Sequence, residues 1–149
     1  MKTTIKKILI VFVIFVLAVN TYSAEENTAT KMEEPLHLLY VESGPYFGYG
    51  GTLYYLFEAM IEEDLLVLDA PIPYTWGDID TKLMWDFVSD HNTSEAIQIR
   101  KEDYYSFKNN EGSDLELLER LSTDTEIDLL IVMGTVAGRT VTEGGVKQP

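Results

Sequence analysis

Cysteine is absent from the chain. That excludes a disulfide scaffold, and with it the lipid-modified cysteine that tethers many exported bacterial proteins. Histidine is nearly absent too, His37 and His91 being the only two. They fall in different segments with too few other ligands for zinc, so structural roles are expected for both. No nucleophile–histidine–carboxylate set is recognisable either. The expectation is a protein with no catalytic residues, no metal and no cofactor.

Basic residues are scarce: 11 Lys and Arg stand against 25 Asp and Glu, a formal charge of −14. Lys2, Lys6 and Lys7 lie in the first 24 positions and no acidic residue does, so the remainder carries 8 bases against 25 acids, or −17. Nucleic acid and anionic membrane surfaces would be repelled, and no nucleic-acid partner is expected.

Long apolar runs are also missing, with one exception. Residues 8–19, ILIVFVIFVLAV, form an unbroken apolar run of 12, whereas a spanning helix needs about 20. Lysines precede the run and the small residues Ser23 and Ala24 follow it. This is the order of a cleaved secretory signal peptide over residues 1–24, and a periplasmic location is the expectation. Residues 25–35 are polar, end at Pro35 and read as a flexible leader. About 125 residues remain after the signal, enough for one modest domain.

Within residues 36–149 two hydrophobic periods alternate. Residues 36–43 (LHLLYVES) read as a buried strand closed by Gly44-Pro45. A glycine-rich loop follows. From Thr52, Leu53, Leu56, Phe57, Met60, Ile61 and Leu65 recur at helical spacing, with Thr52 as the expected N-cap. Pro71 and Pro73 make residues 69–76 irregular. Asp78 is expected to open a second helix whose buried face holds Ile79, Leu83, Phe87 and Val88 and which ends at His91-Asn92. Residues 95–107 alternate as a strand, 109–113 turn, and 114–122 carry leucines for a helix capped by Ser113 or Asp114. Residues 127–133 (IDLLIVM) are a second buried strand broken by Gly134, before a short helix start over 136–141.

This alternation predicts an α/β fold with an open, mostly parallel sheet and flanking helices, the first strand central between the second and third. Residues 127–133 are apolar on both faces apart from Asp128, a pattern that belongs inside a sheet. The chain is therefore expected to be the beginning of a longer protein, or to be completed by a partner.

Two loops carry the candidate site. Tyr46, Phe47 and Tyr49 follow the first strand, at the carboxyl end of the sheet where open α/β folds bind ligands. Gly134-Thr135 follows the third strand at the same end and opens a helix. Gly48-Tyr49-Gly50-Gly51-Thr52 matches phosphate-binding loops poorly. Leu53 stands where the dinucleotide fingerprint needs glycine, and Gly51 where the P-loop needs lysine. Glu62-Glu63-Asp64 reads as a solvated helix face.

Residues 128–138, DLLIVMGTVAG, resemble the strand and turn of the first lobe of ABC-transporter substrate-binding proteins of the type I periplasmic-binding fold. The matching pattern is an aspartate, an apolar strand and Gly-Thr-x-Ala at Gly134, Thr135 and Ala137, and the likeness extends over residues 36–149. It implies a partial N-terminal α/β lobe, a small-molecule ligand, no enzymatic activity and a membrane permease as partner. By position it implies Ser43, Gly44, Tyr46, Phe47, Gly134 and Thr135 as ligand-facing residues. Such lobes also serve as extracellular sensory or interaction modules, which is the alternative expectation. The long insert over 69–91 and the absence of a second lobe depart from the family pattern, and no ligand class is implied.

Overall fold

The computed structural model describes residues 34–108 and 112–144. The expected signal peptide, most of the leader and most of the 109–113 turn lie outside them.

The described chain runs β1 (Leu36–Glu42), α1 (Phe47–Glu62), α2 (Thr81–His91), β2 (Ile97–Ser106), α3 (Ser113–Thr123), β3 (Leu129–Met133) and α4 (Thr135–Glu143). The strands form one parallel sheet in the order β2-β1-β3, so the fold is α/β and β1 is central, as the alternation predicts. Among the described residues no helix is long and apolar enough to cross a membrane.

Alternation along β1 divides the core between two faces. Leu38 and Tyr40 pack with Leu53, Phe57 and Met60 of α1 and with Met84, Trp85 and Val88 of α2. Leu39 and Val41 turn the other way, toward Leu117 of α3 and Ala137 and Val141 of α4. The strand order explains this split. The chain steps one way from β1 to β2 and back across β1 to reach β3, and crossovers of one hand then put their helices on opposite faces.

Two expectations about the helices change. α1 starts at Phe47 rather than after Thr52, and the Thr52 hydroxyl donates back to the Gly48 carbonyl at 2.9 Å from inside the helix. Glycines that read as loop are helical because a neighbouring segment crosses them. A Cβ on Gly50 would lie 2.1 Å from the Asp78 carbonyl oxygen, and one on Gly51 would lie 3.1 Å from the Tyr74 hydroxyl. A cradle for phosphate is therefore filled by the chain's own strap, residues 69–80.

α2 starts at Thr81, with Asp80 as its cap accepting the Leu83 N–H at 2.9 Å. Its buried face holds Thr81, Met84, Trp85 and Val88. Ile79 and Leu83, expected in the core, are exposed. Trp85 is fully buried and its indole N–H donates to the Arg100 carbonyl at 2.8 Å.

β2 carries an irregularity that its sequence did not announce. Leu38 pairs with Ile99 and Tyr40 with Tyr104, so residues 100–103 lie opposite the single residue Leu39. The bulge turns Asp103 inward. Its carboxylate, fully buried, meets His37 Nε2 at 2.6 Å and the Arg120 guanidinium from α3.

Candidate functional site

β1 ends at Glu42 and β3 at Met133, side by side at the carboxyl edge of the sheet. α1 leaves β1 toward one face and α4 leaves β3 toward the other. Neighbouring strands whose following helices diverge in this way leave a crevice between their loops, the switch point at which open α/β sheets bind ligands.

Ser43 sits at the mouth of that crevice. Its N–H continues the ladder to the Met133 carbonyl at 2.9 Å. Its hydroxyl donates to the same carbonyl at 3.4 Å and accepts the Ala137 N–H at 3.0 Å. Gly134 is pressed against it. With φ at 92°, a Cβ there would stand 2.1 Å from the Tyr49 hydroxyl and 2.5 Å from the Ser43 hydroxyl. The structure thus brings Ser43, Tyr49 and Gly134 together from three elements. Burial raises the Tyr49 phenol above its ordinary value; its bond with Ser43 opposes this and the charge of Glu42 adds to it. Tyr49 is accordingly a neutral hydroxyl at the crevice.

The other expected residues are spread around this centre. Tyr46 is the N-cap residue of α1, and its ring lies 4.5 Å from Phe47 and 5.1 Å from Tyr49 between centroids. Tyr46 and Phe47 are both exposed, as is Thr135 in the first turn of α4. Gly44 is buried against the Lys108 side chain instead, where a Cβ would come within 2.4 Å of the Lys108 Cβ.

Beneath the crevice lies a polar cluster that sequence reasoning missed. Glu42 is fully buried, with one carboxylate oxygen accepting from Tyr40 at 2.9 Å and Thr81 at 2.7 Å and the other from Ser106 at 2.9 Å. Tyr104 joins through Thr81, hydroxyl to hydroxyl at 2.9 Å. Hydroxyl donors from β1, β2 and α2 satisfy a buried carboxylate in place of a cation. Burial, followed by the charge of Glu42 and its hydrogen bond, holds the Tyr40 phenol far above its usual range. Tyr104 is raised as well, chiefly by burial, against the lowering effect of its bond to Thr81. One signal was present in the sequence: Glu42 continues the inward series Leu38, Tyr40. The partners were illegible because Thr81 and Ser106 arrive from 39 and 64 residues away.

Chemically, the mouth offers a serine and a tyrosine hydroxyl, the first turn of α4 and two exposed aromatic rings. The Ser43 hydroxyl meets the Met133 carbonyl, the Ala137 N–H and the Tyr49 hydroxyl. Among the described residues no group of three His, Cys, Asp or Glu side chains is placed to hold a metal. Comparison with protein-family models, with curated proteins and with solved structures finds no match to this chain.

Proposed function

We propose that this chain is the solute-binding component of an ABC transporter, working in the periplasm without catalysis and handing a small molecule to a membrane permease. The observation that carries the reading is the position of Ser43, Tyr49 and Gly134 at the switch point between β1 and β3. Polar groups converge there on a mouth flanked by Tyr46 and Phe47, the mixture of a few placed hydrogen-bonding groups with aromatic walls that small-molecule sites use. The aromatic rings supply contact area, and the Tyr49 hydroxyl and the α4 turn orient the ligand. The Gly-Thr-x-Ala turn at residues 134–137 and the signal-like start support the same reading.

A thermal-shift screen of the purified chain against amino acids, sugars and other small metabolites tests it. A ligand at a hundred times its Kd raises stability by about 2.7 kcal/mol. The reading expects at least one such rise, abolished in a Tyr46→Ala, Phe47→Ala variant whose own unfolding is unchanged. A rise that survives both substitutions moves the ligand away from this crevice and overturns the assignment, and a screen with no rise counts against binding.

A further inference from the structure

The strap joining α1 to α2 and the first turn of α2 leave three large apolar side chains in water: Trp76 is 81% exposed, Ile79 51% and Leu83 62%. The strap is held against α1 at Tyr74 and closed on itself at Asp78. Tyr74 stacks on Tyr54 of α1 with ring centroids 4.6 Å apart, and the Asp78 carboxylate accepts the Thr75 N–H at 2.7 Å. Pro73, Ile79, Leu83 and Met84 line a depression of about 290 Å³ together with Asp78 and Asp80. Trp76 directly precedes Gly77, another residue of its lining.

Charge selects what this face accepts. Asp78 and Asp80 in the lining are both exposed, and residues 69–81 hold no Lys, Arg or His. The next residue, Lys82, is paired with Asp86 and lies 5.5 Å from the Tyr104 ring centroid. An anionic partner would be repelled. A purely apolar one would cover the carboxylates of Asp78 and Asp80 without pairing them, at a desolvation cost. A partner that interleaves cations with apolar side chains meets both halves of the surface, and an exposed tryptophan face itself attracts lysine and arginine. We propose that this face, independently of the crevice, docks a polypeptide segment in which lysine or arginine is interspersed with apolar residues.

The test is calorimetric titration of the purified chain with a short synthetic lysine–leucine peptide. Controls are a glutamate–leucine peptide of equal length and a neutral cello-oligosaccharide. Saturable binding of the basic peptide is expected, with a blue shift of Trp76 emission and at least tenfold weaker binding to a Trp76→Ser, Leu83→Ser variant. That variant keeps every charge, and emission from the buried Trp85 reports that it is folded. Equal affinity of the folded variant would reduce the effect to adsorption on a negatively charged protein and overturn the proposal. So would absence of binding, equal binding of the acidic peptide, or binding of the oligosaccharide alone.

Discussion

The backbone N–H of Ala137 donates to the hydroxyl of Ser43 at 3.0 Å, across 94 residues of chain. Ala137 is the third residue of α4, the donor that an N-cap side chain ordinarily satisfies, and the cap position is held by Gly134, which has no side chain. The end of β1 therefore caps the helix that follows β3. Ser43→Ala is expected to cost about 1 kcal/mol, the usual worth of a lost cap. Urea unfolding checks this: the midpoint should fall while the slope stays constant.

Gly134 and Tyr49 should be coupled. Gly134→Ala places a methyl group where the Tyr49 hydroxyl stands, at a φ of 92° that non-glycine residues rarely adopt. A loss of roughly 1–3 kcal/mol is expected. Tyr49→Phe removes the hydroxyl and relieves the clash but not the backbone strain. The double variant should be more stable than the sum of the single losses predicts, and a double-mutant cycle measures the difference. Strict additivity would show that the two residues do not touch.

The sequence was most legible where local pattern and tertiary packing agree. β1, read as residues 36–43, is Leu36–Glu42, and the central placement of this strand follows from handedness once the strand–helix alternation is recognised. Reading failed where packing overrides local preference. Gly48, Gly50 and Gly51 look like loop, yet all three are helical, and the strap packs on the bare surface of Gly50 and Gly51. Ile79 and Leu83 look like core, yet Ile79 lies before the start of α2 and Leu83 on its face opposite the buried Thr81, Met84, Trp85 and Val88. The same limit applies at the site. Ser43 and Gly134 were within reach because each ends a recognisable strand, whereas the hydroxyls around Glu42 converge from three elements and leave no local trace.

Asp103 joins His37 and Arg120, which the sheet bulge brings within its reach. His37 Nε2 lies 2.6 Å from one carboxylate oxygen and Arg120 meets the other, while the Arg120 Nη1 also donates to the Glu102 carbonyl at 3.1 Å. Asp103→Ala leaves the guanidinium only the Asp124 carboxylate, 3.3 Å from its Nε, and takes the buried partner from His37; a loss of about 1–3 kcal/mol is expected. Arg120→Ala in the same background should add much less than it costs alone, since its principal partner is already gone. Chemical denaturation of the wild type and the three variants checks this. Equal costs of Arg120→Ala in the two backgrounds would deny the pair its structural role.

Alkaline stability should depend on Tyr40. Its phenol is fully buried against Glu42, and burial holds its folded-state value far above the unfolded value of about 10. The sign follows from proton counting. Below pH 10 both states keep the proton and the contribution is fully present. Above it the unfolded chain releases the proton while the folded chain retains it, so the unfolded state binds fewer protons and stability falls as pH rises. The slope is about 1.4 kcal/mol per pH unit for this one group. Tyr40→Phe removes that slope, at the cost of one hydrogen bond to Glu42 that is present at every pH. Urea midpoints of the wild type and Tyr40→Phe should therefore be furthest apart near pH 8 and converge between pH 10 and 11. A gap that stayed constant across that interval would mean that Tyr40 ionises in the folded protein as readily as in the unfolded chain.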